Sequence, residues 1–176
     1  MRTFLKQRFA VALLAIGTTM ALMTVCGTAN TDSLSKAERK RIQEMKVKEM
    51  LDNRHFKIEV DMMHPHTYPA RQLSSYYSVE VRNDSLISYL PYMGRAYSVP
   101  YGGGKALNFE APLKNYKEVE GSRNLRRIYV QVYNDEDIYT YMFEVFANGK
   151  STVHVDSRNR QPISFDGDVV TEENKK

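Results

Sequence analysis

The 176-residue chain has one cysteine and no tryptophan. A single thiol excludes a disulfide framework and a zinc site built on several cysteines. Histidine is scarce as well, with four in the chain. His64-Pro65-His66 brings two imidazoles together, but no third ligand lies near in sequence, and His154 reads as a lone strand residue. No metal or other cofactor is expected. Charge of one sign is also lacking, with 25 basic residues facing 21 acidic ones. Setting aside Arg2, Lys6 and Arg8 leaves 22 against 21. That balance excludes the basic surface that nucleic-acid binding needs.

Catalytic signatures are missing too. There is no Gly-x-Ser-x-Gly elbow. Gly102-Gly103-Gly104-Lys105 fails as a phosphate loop: Ala106 follows the lysine, the glycine spacing is wrong, and Leu107 to Glu110 reads as strand rather than helix. His154, Asp156 and Ser157 are close in sequence, which is not a triad in space. Glu59, Glu80 and Glu144 fall on separate strands. The expectation is a non-enzymatic protein, with a hydrolase a distant third among the readings.

Phe9 to Val25 is an apolar run without a charge, 17 residues diluted by Gly17, Thr18 and Thr19. It is short of the ~20 predominantly apolar residues a membrane span uses. With a basic start and small residues at Gly27 and Ala29, residues 1–29 read as a secretory signal peptide. Cleavage after Ala29 is one route. The other is a lipoprotein whose acylated first residue is Cys26; Val25 is bulky for that, yet Cys26 is the only cysteine, and this reading leads. The expected location is the periplasm, or the cell envelope by a lipid anchor.

Residues 30–54 form a polar arm. Ser35 and Glu38 make a capping box, which predicts a helix from Lys36 to Leu51 supported by a Glu44–Lys48 pair. Its ragged apolar stripe predicts that the helix leans on the domain by its last turn.

At His55 the period changes to two, and residues 55–170 read as antiparallel β structure. Predicted strands cover His55–Met62, Tyr77–Val81, Leu86–Leu90, Arg127–Tyr133, Ile138–Phe146, Ser151–Asp156 and Ile163–Phe165. Asn83-Asp84-Ser85 and Asn134 to Asp137 are the loops between them, and Asn148-Gly149 predicts a type I′ turn. The tail 171–176 reads as frayed. A closed or nearly closed barrel and a two-sheet sandwich fit the pattern equally. Tyr139, Tyr141 and Phe143 share one face of a strand, so they line a cavity or fill a core.

The segment Tyr89 to Lys105 has four tyrosines, four glycines, two prolines and Arg95. Gly94 is expected to take positive φ and return the chain as a strand over Arg95–Val99. On the packing reading, Tyr92, Tyr97 and Tyr101 plug a barrel end while Arg95 stacks on a ring or meets a carboxylate. On the binding reading, Tyr92, Gly94, Arg95, Tyr97 and Tyr101 rim a pocket in which Arg95 holds an anion. Packing is favoured, because aromatic clusters usually serve it first.

Tyr92-Met93-Gly94-Arg95-Ala96-Tyr97 resembles the aromatic-Gly-Arg-Ala-Tyr motif of the Bacteroidetes envelope proteins called domain of unknown function 4251. Met93 stands where phenylalanine is more usual. Ser98 to Gly104, Ser78 to Val81 and Phe146 to Gly149 also fit, so the likeness runs over roughly residues 36–170. It implies an antiparallel, lipocalin-like barrel behind an export signal, and no activity. The leading expectation is a barrel that binds a small hydrophobic or amphipathic ligand. The alternative is a filled barrel that docks to envelope partners through its basic helix or an open sheet edge.

Overall fold

In the computed structural model the described residues are 35–98, 104–122 and 124–171. The predicted signal peptide, Cys26, Tyr101 and the tail beyond Thr171 lie outside them. One helix, α1 (Lys36–Asp52), precedes eight strands: β1 (His55–Pro65), β2 (Arg71–Arg82), β3 (Ser85–Tyr89), β4 (Asn108–Glu120), β5 (Leu125–Tyr133), β6 (Ile138–Phe146), β7 (Lys150–Ser157) and β8 (Ile163–Val169). Each strand pairs antiparallel with the next, and β8 pairs with β1 to close a barrel. Closure discards the sandwich and also removes the open edge through which a partner could add a strand.

Period-two burial decides which face turns inward. Phe56, Ile58 and Val60 of β1 are buried, while Lys57, Glu59 and Asp61 between them are not. The same alternation puts Tyr139, Tyr141, Phe143 and Val145 of β6 inside. Register aligns Ile128, Phe143, Val153 and Phe165 as neighbours on four successive strands. The ring of Phe56 meets Phe143 edge-on at 5.5 Å, and Phe109 stacks on Tyr139 at 4.9 Å. Phe56, Ile58, Val130, Tyr141, Phe143 and Phe165 are each 0 % exposed. A side chain bordering a void that admits water would show surface to it, so these rings fill the interior. An apolar inside and a charged outside is the reverse of a barrel that faces lipid.

The helix closes the end of the barrel that holds the 121–124 and 147–149 turns. Its capping box is present, with Glu38 N–H donating to Ser35 Oγ at 3.3 Å and Ser35 N–H to Glu38 at 2.9 Å. Val47 and Leu51 are its buried residues. Gln43 donates to Asn148 O at 2.8 Å, and Arg126 reaches Asp52 at 2.7 Å and pairs with Glu118. The predicted Glu44–Lys48 pair is replaced by Lys40–Glu44 and Lys48–Asp52, both at 3.8 Å.

Four other expectations need correction. Asn148 does not take positive φ; Gly149 alone does, at 88°, and its N–H donates to Phe146 O at 2.9 Å. This is the loop in which an ordinary turn is followed by a left-handed glycine, not type I′. The last strand does not stop at Phe165 but runs to Val169, because Asp166 to Val169 pair with β1. Strand β4 extends to Glu120, well past the Leu107–Glu110 read from sequence. No strand forms over Arg95–Ser98; Ala96 makes one isolated bridge to Arg160.

Buried phenols give the fold an alkaline limit. Tyr141 is fully enclosed, and burial raises its pKa well above the usual tyrosine value, a hydrogen bond to Ser88 opposing this only in part. A raised folded-state pKa contributes stability that is whole below about pH 10, where tyrosine titrates in the unfolded chain, and is lost as pH rises further. We expect unfolding free energy to fall above about pH 10 by up to ~1.4 kcal/mol per pH unit for this group. Tyr141→Phe should flatten that slope, as denaturant titrations at several pH values would show.

Candidate functional site

The end opposite α1 is closed by residues 90–98 and 104–107, a lid. Leu90 N–H donates to Leu107 O at 3.3 Å, and both side chains are buried. Two hydroxyls fasten the lid to the core beneath it: Ser88 Oγ donates to Leu107 O at 2.7 Å and Tyr139 OH to Ala106 O at 3.0 Å. On its other side the lid is stitched to the β7–β8 connection. Tyr97 N–H donates to Asn159 O at 2.7 Å, Gln161 N–H to Arg95 O at 3.0 Å, and Arg95 N–H to Gln161 Oε1 at 3.0 Å.

Tyr92 is the hinge pin of this arrangement. Its hydroxyl lies 3.0 Å from Arg95 O and 3.1 Å from Gln161 O, and its single hydrogen is shared between them. Burial raises its pKa, while the Gln161 contact and Arg160 oppose the rise. Gly94 does not take positive φ, contrary to expectation. It is glycine for space: a Cβ there would stand 2.7 Å from the Tyr92 hydroxyl. Gly94→Ala should therefore displace Tyr92 and loosen the lid without unfolding the barrel. Amide exchange at Arg95, Tyr97 and Gln161 should quicken about tenfold or more while β5 and β6 keep their protection.

The cation under the lid is Arg160, not Arg95. Arg160 is buried, meets Glu136 at 3.2 Å and lies 5.5 Å from the centre of the Tyr92 ring. Glu136 also accepts from Lys105 N–H at 2.6 Å. Buried Asp137 accepts from Ser157 Oγ at 2.5 Å and from the N–H of Asn159 and Ile138, tying the β5–β6 loop to the β7–β8 connection. Sequence alone did not reveal these anchors, because both loops look like plain polar turns. Nothing short of strand order could have brought Glu136 to Arg160.

The sequence-predicted site thus divides. Tyr92 and Gly94 build the lid, while Arg95 and Tyr97 are displayed on its outer surface. The Arg95 guanidinium meets no carboxylate among the described residues, and Tyr97 is 66 % exposed. Further exposed tyrosines gather around the same end: Tyr68 in the β1–β2 connection, Tyr89 at the end of β3 and Tyr133 at the end of β5. Tyr89 is held by stacking on Tyr77 at 5.4 Å. The result is a tyrosine rim on a braced platform.

The histidines behave differently from expectation. His64, His66 and His154 line one cleft of about 420 Å³ on the outer face. Pairing of β7 with β8 and β8 with β1 brings the third imidazole there. His64 is engaged with Asp166 at 2.7 Å, and His154 lies 3.8 Å from Glu144. Among the described residues no three His, Cys, Asp or Glu side chains converge on a point that could hold a metal ion.

A family model described as "Domain of unknown function (DUF4251)" matches residues 38–169, and the chain belongs to that family. The crystal structure of a DUF4251 family protein from Bacteroides eggerthii DSM 20697 superposes with a TM-score of 0.59 at 10 % identity, covering 78 % of this chain and 93 % of that one. At that identity the likeness concerns the fold alone. No curated protein matches.

Proposed function

We propose that this DUF4251 protein is a non-enzymatic, exported component of the cell envelope that works as a recognition module. Its barrel is a filled scaffold, and contact is made from outside, at the lid end. The observation that carries this reading is the set of exposed tyrosines, Tyr68, Tyr89, Tyr97 and Tyr133, at the barrel end that also displays Arg95. Tyrosine and arginine dominate the energetic centres of protein interfaces, because each buries a large rigid surface and keeps a polar tip to pair. The lid bonds fix the backbone of Arg95 at both its N–H and its carbonyl, so presenting the guanidinium costs little ordering on binding.

A photo-crosslinking residue placed at Tyr97 in cells tests the reading, with one at Lys57 on the bare outer wall as reference. Discrete adducts are expected from position 97 and should vanish with Arg95→Glu. A pattern from position 97 no different from that at 57 would overturn it. A second reading keeps the same residues for a small anionic or amphipathic ligand, favoured by Arg95, whose guanidinium meets no carboxylate among the described residues. In a thermal-shift screen it requires stabilisation of the parent that Arg95→Ala loses.

A further inference from the structure

At the opposite end, between α1, the β4–β5 turn and the end of β6, lies a cleft of about 630 Å³. Its volume falls in the range of pockets that enclose small ligands. Its apolar lining combines the partly exposed Leu125 and Ala147 of the barrel with Val47, Leu51 and Val145, which are buried. Met45 and Phe146, 63 % and 42 % exposed, add apolar surface among the charged residues that also line the cleft. Methionine adapts to varied apolar shapes, which suits a site that must accept a flexible body.

The charges lining this cleft are mostly spoken for. Glu44 is met by Lys40, and Asp52 by Lys48 and Arg126, whose guanidinium also pairs with Glu118. Arg41 is the lining cation with no carboxylate partner among the described residues, and Glu120 stands on the far wall. Beside this apolar lining, Arg41, unpaired among the described residues, selects an amphiphile with one negative charge; Glu120 disfavours a second.

We propose that this cleft binds a single-chain, monoanionic amphiphile, with its head on Arg41 and its chain over Met45, Leu125 and Phe146. The site lies at the end away from the tyrosine rim and does not depend on it.

The test is methyl NMR of the full domain titrated with dodecanoate below its micelle concentration. Saturable shifts are expected at Met45 and Leu125. Arg41→Glu should weaken binding about tenfold, the scale of one charge-assisted hydrogen bond. Ala147→Trp should block the cleft, and Phe146→Asp at the exposed mouth serves if that variant does not fold. Arg95→Ala should bind as the parent does, which separates failure here from failure of the lid reading. Dodecyl maltoside, with the same chain and a neutral head, should bind at least about tenfold more weakly. Absence of saturation, undiminished binding in the blocked variants, or equal affinity for the neutral amphiphile would overturn the proposal. Phosphatidylglycerol vesicles distinguish the source: binding to vesicles without binding to free dodecanoate would assign the surface to a membrane and also overturn it.

Discussion

Phe143→Ala should lower the free energy of unfolding by about 3–5 kcal/mol, the range for deleting a large ring from a packed core. Phe143 is 0 % exposed and touches aromatic neighbours on two sides, Phe56 at 5.5 Å and Tyr141 at 6.0 Å between ring centres. A barrel wall is continuous hydrogen-bonded sheet, so it relaxes poorly into the space left behind. The cost should therefore lie toward the upper part of that range. A denaturant melt of the variant measures it. A loss under about 1 kcal/mol would mean that the interior was never tightly filled.

Gly167→Val should be at least as damaging, for a different reason. Gly167 pairs with Val60 where β1 shifts register, at the seam that closes the barrel. A Cβ built on it would run into the backbone of Glu59, and a backbone cannot swing aside like a side-chain tip. The β1–β8 pairing would have to part, exposing two edges. Loss of more than about 4 kcal/mol, or failure to fold, is the expected outcome by chemical denaturation. A variant as stable as the parent would show that the seam tolerates more room than its pairing implies.

How much of this was legible beforehand depends on what each feature rests on. β6 could be read residue for residue, because Ile138 to Phe146 is a run of aromatic and aliphatic residues between a charged loop and a glycine turn. The helix start was visible in Ser35 and Glu38, since a capping box is local. β4 was read only over Leu107 to Glu110 because its inward face is thin beyond that point. Ala111 is its one fully buried residue, Pro112 interrupts the pattern, and Lys114, Lys117, Glu118 and Glu120 make it look like loop. The last strand was expected to stop at Phe165, short of Gly167, which is glycine because another strand's backbone approaches. The lid motif was recognisable, but the division of labour within it was not. Whether Tyr92 turns inward while Tyr97 turns out is fixed by Arg160, Glu136 and Gln161, more than thirty residues away in sequence.

The proposed recognition from the outer surface rests on a barrel with no room inside. Dissolved xenon, followed by methyl NMR at Val79, Val130 and Val153, probes this directly, because xenon enters dry apolar cavities. The parent should show no saturable shift at these methyls, whereas Phe143→Ala should show one, reporting the cavity made by removing its ring. Saturable xenon shifts in the parent would contradict a filled interior and return the ligand to the inside of the barrel.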